Sequence, residues 1–522
     1  MTQTPDHGLI TDALWRHERD RPERQATVLG DDRRTYHQLA AQVRELASLL
    51  LDLGVQRGDR VALLSTPRPE FLISFLATAH VGGVWVGLNP RATLRELAYV
   101  LEDARPRIVF GFPELIGQDQ REQLLAAVPD ATAATLSLGE GFGRFMPLAT
   151  ALDEHAVDVS AVGRRATAVA SGDPALLVYT SGTTGAPKGA PLSHRGLLRC
   201  ATTQLRYWPV DPLRLVNNLP INHVGCVGDL GCYALLAGGT QVFMERFDPG
   251  ALLQTIERES ITFWGQVPTM FAFAMDHPEV ARTDLSSLQR IAWSGAAMPR
   301  DLVARLAELP VALSTSYGMT ETTGSVTVTD PGADVDTLAG TVGRPAAGYE
   351  VRIADEEGRR VPGGEPGELQ VRGDWLMLGY LDRPEATAEV FDDEGWLRTG
   401  DLARRRDDGN LVLVGRSRER FKSGGLNVYP REVEQVLESH PQVAIAVVVS
   451  VPDELYGEVG AAAVLPTAGA RLDVASLVSH ARDALANYKI PKRFDVVDDL
   501  PMLEVGKVDR SALQARYSGQ PA

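Results

Sequence analysis

The chain has 522 residues, of which 44% are hydrophobic and 23% charged, and a formal net charge of −16. That is ordinary globular composition with enough length for several domains and large cores. The acid surplus argues against a long nucleic-acid groove or an anionic membrane surface as partner, while leaving room for a local cationic pocket.

The first residues, MTQTPDHGLITDALWRHERDRPERQ, are polar and lack an apolar signal core. No uninterrupted apolar run approaches the roughly 20 residues of a membrane span. A cytoplasmic protein without stable membrane insertion is therefore expected. Thr35-Tyr36-His37-Gln38 fits a capping box, and Leu39, Val43, Leu46, Leu50 and Leu53 then share one helical face up to Gly54. Val61–Leu64 and Val84–Leu88 read as buried strands around a helix over Glu70–His80. Strands continue at Ala175–Tyr179, Val216–Leu219, Gln241–Met244, Ile261–Phe263 and Arg290–Trp293. Alternating strands and helices predict parallel βα units.

After Gly340 the texture changes. Glu350–Ile353 and Glu368–Val371 alternate like half-exposed strands between glycine and proline turns, which predicts a β-rich subdomain over about 340–417. The run SRERFKSGG, starting at Ser417, reads as a linker. Beyond it, a helix over Arg431–His440, a strand over Val443–Val449 and a helix over Val474–Ala486 predict a small α+β domain, residues 418–522. Cys200, Cys226 and Cys232 are sparse, odd in number and without zinc spacing, so they read as packed thiols.

Residues 180–189 read TSGTTGAPKG. A strand precedes them, and Ser193 is placed to cap a helix after them. Bare N–H groups, hydroxyls and one lysine make a good phosphate cradle, although a plain surface loop has the same composition. The run is not a P-loop, because Lys188 follows Pro187 and precedes Gly189. Four further stretches stand out: Tyr317-Gly318-Met319-Thr320-Glu321, Gly395-Trp396-Leu397-Arg398-Thr399-Gly400-Asp401, Gly415-Arg416 at the start of the linker, and Gly506-Lys507-Val508-Asp509-Arg510. Singly, each is weak, since a lone Asp401 reads as a turn residue and a lone Lys507 as a solvated charge.

Together and in this order, YTSGTTGAPKGAPLSH at 179–194, YGMTE, GWLRTGD and GKVDR resemble the adenylate-forming family of acyl-CoA synthetases, luciferases and peptide-synthetase adenylation domains. The resemblance covers nearly the whole chain. It implies a large α/β N-terminal domain, residues 1–417, and a mobile C-terminal domain carrying a catalytic lysine. It implies activation of a small-molecule carboxylic acid by ATP to acyl-AMP and pyrophosphate, then transfer to CoA, with magnesium as cofactor. The alternative is an enzyme that stops at the adenylate and hands it to a separate partner or acyl carrier protein. A homodimer is left open, and no nucleic-acid partner is expected.

By the same resemblance, Thr180, Ser181, Gly182, Thr183, Thr184, Gly185 and Lys188 wrap the β- and γ-phosphates. Thr184 and Glu321 match the metal-associated positions. Tyr317 stacks on adenine, with Gly318, Met319 and Thr320 beside it and Ser294, Gly295, Ala296 and Ala297 as the facing wall. Asp401 and Arg416 match the residues that reach the ribose, and Lys507 matches the lysine that bridges α-phosphate and substrate carboxylate. Arg418 takes the hinge position, where Asp or Lys is usual. Ser423, Gly424 and Gly425 match the loop of the pantetheine tunnel, with Leu426 where Glu or Phe is commoner. Leu219-Pro220-Ile221-Asn222-His223-Val224 matches the acyl-site motif, with His223 as gate and Val227, Ser294, Gly295 and Gly318 lining the acyl pocket. The amine-holding aspartate of amino-acid-activating relatives is absent, which favours a simple carboxylic acid. The small residues Gly225, Cys226, Gly228 and Gly231 suggest room for a medium-chain, aromatic or polycyclic acid, or else close backbone packing. Trp264 and Trp293 read as core.

Overall fold

A computed structural model describes residues 8–180, 186–467, 469–502 and 508–518. Two large sheets form the body. In the first, strands Phe263–Gln266, Arg214–Asn217, Thr240–Phe243, Arg290–Trp293 and Ala312–Met319 run parallel. In the second, Arg60–Leu64, Val84–Leu88, Ile108–Gly111 and Pro174–Thr180 run parallel, and Lys188–Ser193 closes the edge as an antiparallel neighbour. The continuous apolar runs of these strands follow from burial on both faces.

Local signals act where the residues predict. Thr35 caps the helix Tyr36–Asp52 in a capping box with Gln38, and Ser193 Oγ accepts from Gly196 N–H at the start of His194–Tyr207. Some strand bounds shift. Arg214–Asn217 ends before the sequence bounds because the chain must leave the sheet ahead of Pro220. Phe263–Gln266 starts later, since the Ile261 N–H bonds back to Ile256 O at the preceding helix end.

The β-rich subdomain is a four-stranded antiparallel sheet of Glu350–Ala354, Gly367–Arg372, Leu397–Arg405 and Leu411–Arg416. The expected linker is corrected: only 417–420 connects. Phe421–Ser423 pairs antiparallel with Leu426–Val428 across the two-residue turn Gly424-Gly425. Both glycines have positive φ, +57° and +83°, as a tight hairpin with the right strand twist demands. These strands join Val443–Asp453, Gly457–Pro466 and Arg493–Val496 in the C-terminal sheet.

Trp264 and Trp293 are core residues, and the three cysteines are buried free thiols. Among the described residues, the apolar clusters divide cleanly: none mixes residues before 417 with residues after it. No helix among them is long and apolar enough to cross a membrane.

Candidate active site

The carboxyl ends of parallel strands are where α/β sheets offer ligand sites, because the chain there turns away and exposes backbone and loop groups. Ser294, Gly295, Ala296 and Ala297 follow Arg290–Trp293 at such an end, with Gly295, Ala296 and Ala297 exposed. Tyr317, Gly318 and Met319 lie at the end of Ala312–Met319, followed by the buried Thr320. Gly318 is irreplaceable there, since a Cβ would stand 2.0 Å from Gly324 O.

The residues flanking the glycine-rich run are held together. Thr180 pairs with Lys188 in the antiparallel ladder, and Tyr99 Oη donates to Pro187 O at 2.9 Å. Ser181, Gly182, Thr183, Thr184 and Gly185 lie outside the described residues, as does Lys507.

Asp401 and Arg416 are brought face to face by strand pairing. Asp401 is buried; its Oδ1 accepts from Arg416 Nε at 2.9 Å and its Oδ2 from Tyr317 Oη at 2.6 Å. Burial first, and then the Asp401 charge, holds the Tyr317 phenol well above its ordinary pKa. It therefore stays a donor. One carboxylate thus ties the aromatic residue to the arginine across two sheets. Asp401→Asn is expected to raise the KM for ATP about tenfold or more, because hydrogen bonds to a charged group contribute about 1.5–3 kcal/mol. Initial rates of pyrophosphate exchange across ATP concentrations check this; an unchanged KM refutes it.

Glu321 is also buried, and burial raises its carboxyl pKa. Tyr380 Oη donates to its Oε1 at 2.9 Å, and the Lys188 ammonium lies 4.9 Å from the Tyr380 ring centroid, a cation–π contact. Tyr380 therefore links the glycine-rich run to Glu321. Sequence reasoning missed it, since no local motif marks a residue 59 positions away from its partner. Arg418 follows the last strand of the β-rich subdomain, exposed and close enough to Tyr380 to counter the rise of its phenol pKa.

His223 opens an unusual element. Gly225–Cys232 is a π-helix, a geometry rare in proteins and frequent at functional sites. His223 is half-buried, and its Nδ1 accepts from Gly225 N–H at 3.0 Å. The glycines serve close packing: a Cβ at Gly225 would meet His223 Nδ1 at 3.0 Å, and one at Gly231 would meet Cys226 O at 3.1 Å. Close packing thus accounts for Gly225 and Gly231. Val227 is packed into the main core.

In the C-terminal sheet, Ser423 is buried and Gly424 N–H donates to Tyr456 O at 2.9 Å. Arg510, from the last motif, grips the fully buried Glu434 through Nη2 at 2.6 and 2.7 Å and gives Nη1 to Val448 O at 3.1 Å. That arginine anchors the chain immediately after Lys507.

The model of the AMP-binding enzyme family matches residues 14–381, and that of the AMP-binding enzyme C-terminal domain matches 432–507. The chain belongs to the AMP-binding enzyme family. It is 36% identical over 503 residues to a feruloyl-CoA synthase of Amycolatopsis sp, covering 96% of this chain and 98% of that protein. It is 37% identical over 520 residues to the 3-[(3aS,4S,7aS)-7a-methyl-1,5-dioxo-octahydro-1H-inden-4-yl]propanoyl:CoA ligase of Mycobacterium tuberculosis, covering 98% and 99%. ATP-bound MatB from Rhodopseudomonas palustris superimposes with a TM-score of 0.84 at 30% identity, covering 97% of this chain and 99% of that one. This AMP-binding enzyme is an acid–thiol ligase. It activates a carboxylic acid with ATP to acyl-AMP and transfers the acyl group to CoA. Release of the adenylate to a separate partner is not favoured.

Proposed function

We propose that the ligase acts on a bulky, ring-bearing or medium-chain acid, in a cleft between the 294–297 wall, the Tyr317 strand end and the His223 segment. The observation that carries the nucleotide side is the Asp401 carboxylate, held between Tyr317 and Arg416. A fixed, buried acceptor of that kind suits ribose hydroxyls beside an adenine stacked on Tyr317. The two relatives named for feruloyl and octahydro-indenyl propanoyl groups support a ring-bearing acid.

A carboxylate is a poor electrophile because oxide would have to leave. Attack by its oxygen on the α-phosphorus of ATP forms a mixed anhydride as the bond to pyrophosphate breaks. The step joins two anions and needs a cation where negative charge accumulates. Lys507 takes that role, and Thr180 through Lys188 holds the departing phosphates. The division falls at 417/418, and the C-terminal unit turns about Arg418. The Gly424-Gly425 turn then admits the pantetheine arm, whose sulfur attacks the acyl carbon and displaces AMP.

Magnesium fits this site as an ATP-borne ion. It is usually held by one or two carboxylates plus substrate phosphates, and Glu321 with Thr184 would hold it. When bound, it neutralises phosphate oxygens. Tyr380 keeps one oxygen of Glu321 in place. Tyr380→Phe is expected to raise the magnesium concentration for half-maximal exchange several-fold, since a hydrogen bond to a charged group contributes about 1.5–3 kcal/mol. A magnesium titration at saturating ATP measures it, and an unmoved midpoint refutes the role.

The whole reading is tested by mixing ATP, magnesium and CoA with fatty, aryl and bulky cyclic acids. Acyl-CoA and AMP are expected to accumulate with the ring-bearing acids. Exclusive turnover of short aliphatic acids overturns the substrate class.

A further inference from the structure

The helix Leu94–Ala104 carries no part of the motifs above, yet it touches both ends of the glycine-rich run. Thr93 and Glu96 close a capping box that fixes where the helix starts. Tyr99 and Asp103 are four residues apart and so share one face. Each reaches one end of the run. Tyr99 Oη donates to Pro187 O, directly before Lys188. Asp103 Oδ2 accepts from Tyr179 Oη at 2.9 Å, directly before Thr180. Burial first, and then Asp103, raises the Tyr179 phenol pKa, so the phenol stays a donor. Gly189 leaves the room that Tyr179 needs, since a Cβ there would stand 3.2 Å from the ring at Cζ.

Arg383 joins the two helix side chains. Its Nη2 donates to Asp103 Oδ1 at 2.5 Å. The Tyr99 hydroxyl first, and then the Asp103 charge, raises the Arg383 pKa, so one cation acts on both. Arg383 ends a segment that runs along the edge strand Lys188–Ser193, where the Leu378 and Leu381 N–H groups donate to Pro191 O at 3.0 Å and Gly189 O at 2.8 Å. The same segment carries Tyr380, the partner of Glu321. The ladder already pairs Thr180 with Lys188. The helix adds a second hold, from outside the sheet, on the residue before each of them. A glycine-rich segment loses more backbone freedom than any other when it orders around a ligand. Ends that are already in place leave less freedom to lose, which strengthens binding.

We propose that Tyr99 and Asp103, joined by Arg383, are positioning residues for the β- and γ-phosphates of ATP, acting through the Thr180 and Lys188 ends of the run. The inference rests on the assignment of that run to the phosphates. Among the described residues, the three share no hydrogen bond with the set of Tyr317, Asp401 and Arg416, which takes the nucleoside in the same reading. Their loss should therefore weaken ligands that carry the outer phosphates and spare AMP.

The test is calorimetric titration of the full-length protein with magnesium-ATP and, separately, with AMP, in the absence of any acid. Wild type, Tyr99→Phe, Asp103→Ala, Asp103→Asn and Lys188→Ala are compared after thermal melting confirms that each folds. Tyr99→Phe is expected to raise the Kd for ATP about three- to tenfold, and Asp103→Ala about tenfold or more, from the usual worth of neutral and charged hydrogen bonds. Asp103→Asn, whose amide oxygen still accepts from Tyr179, should fall between wild type and Asp103→Ala. The Kd for AMP should hold in all of them. ATP affinity unmoved in Tyr99→Phe and Asp103→Ala, while Lys188→Ala weakens it, overturns the inference and leaves the phosphate reading intact. Equal weakening of ATP and AMP shows a merely structural role and also overturns it. ATP affinity unmoved in Lys188→Ala as well removes the phosphate reading and the inference together.

Discussion

Lys507→Ala is expected to lower acid-dependent pyrophosphate exchange by at least ~100-fold, about 3 kcal/mol of transition-state stabilisation, the scale of removing one oxyanion donor. The reason is electrostatic. The attacking carboxylate and the α-phosphate are both anionic, and a cation placed between them acts most strongly where water is excluded. The melting temperature should not move, because the role proposed for Lys507 is in the reaction and not in packing. The half-reactions should separate as well: pre-formed acyl-AMP, supplied with CoA, should still be converted by the variant far better than acid and ATP are. Exchange close to wild type would remove the proposed chemistry.

Arg510→Ala should act on the same step by a different route. Glu434 is fully buried, and Arg510 is its bidentate partner. Removing one member of a buried pair strands the other, at about 3–5 kcal/mol. The lower end applies here, since Arg510 is 31% exposed and Arg431 also lies 3.3 Å from Glu434. Hydrogen exchange should therefore quicken in the strand Val443–Asp453, whose Val448 N–H and C=O are both held by this pair, at Glu434 Oε1 (2.9 Å) and Arg510 Nη1 (3.1 Å). Pyrophosphate exchange should fall too, because the chain bearing Lys507 loses its anchor. Protection in that strand equal to wild type would show that the pair is redundant.

Much of this was readable from the residues. Buried parallel strands appear as apolar runs because both faces are covered, and caps at Thr35 and Ser193 act within three residues of themselves. The YGMTE and GWLRTGD motifs single out Tyr317 and Asp401, and the structure brings both into one hydrogen-bonded set with Arg416. What stayed hidden depends on distance or on subtle period. The Tyr380–Glu321 contact joins segments that share no local pattern. Eight residues rich in glycine cannot separate a π-helix from an α-helix by periodicity, so the π geometry of Gly225–Cys232 has no sequence signal. The hairpin at 421–428 was masked by its charges and its glycine pair, although two glycines between short strands are themselves a turn signal.

The clean division of the apolar clusters on either side of 417 has a mechanical consequence. A turn of the C-terminal unit, as proposed, would leave each of these clusters whole. A joint that shares no buried apolar cluster is only lightly held by packing. Small polar biases, such as the ion pair of Arg420 with Glu356 at 3.7 Å or the charge state of whatever fills the cleft, are then enough to choose its pose. For the turn proposed at Arg418, the progress of the reaction itself can then set its direction.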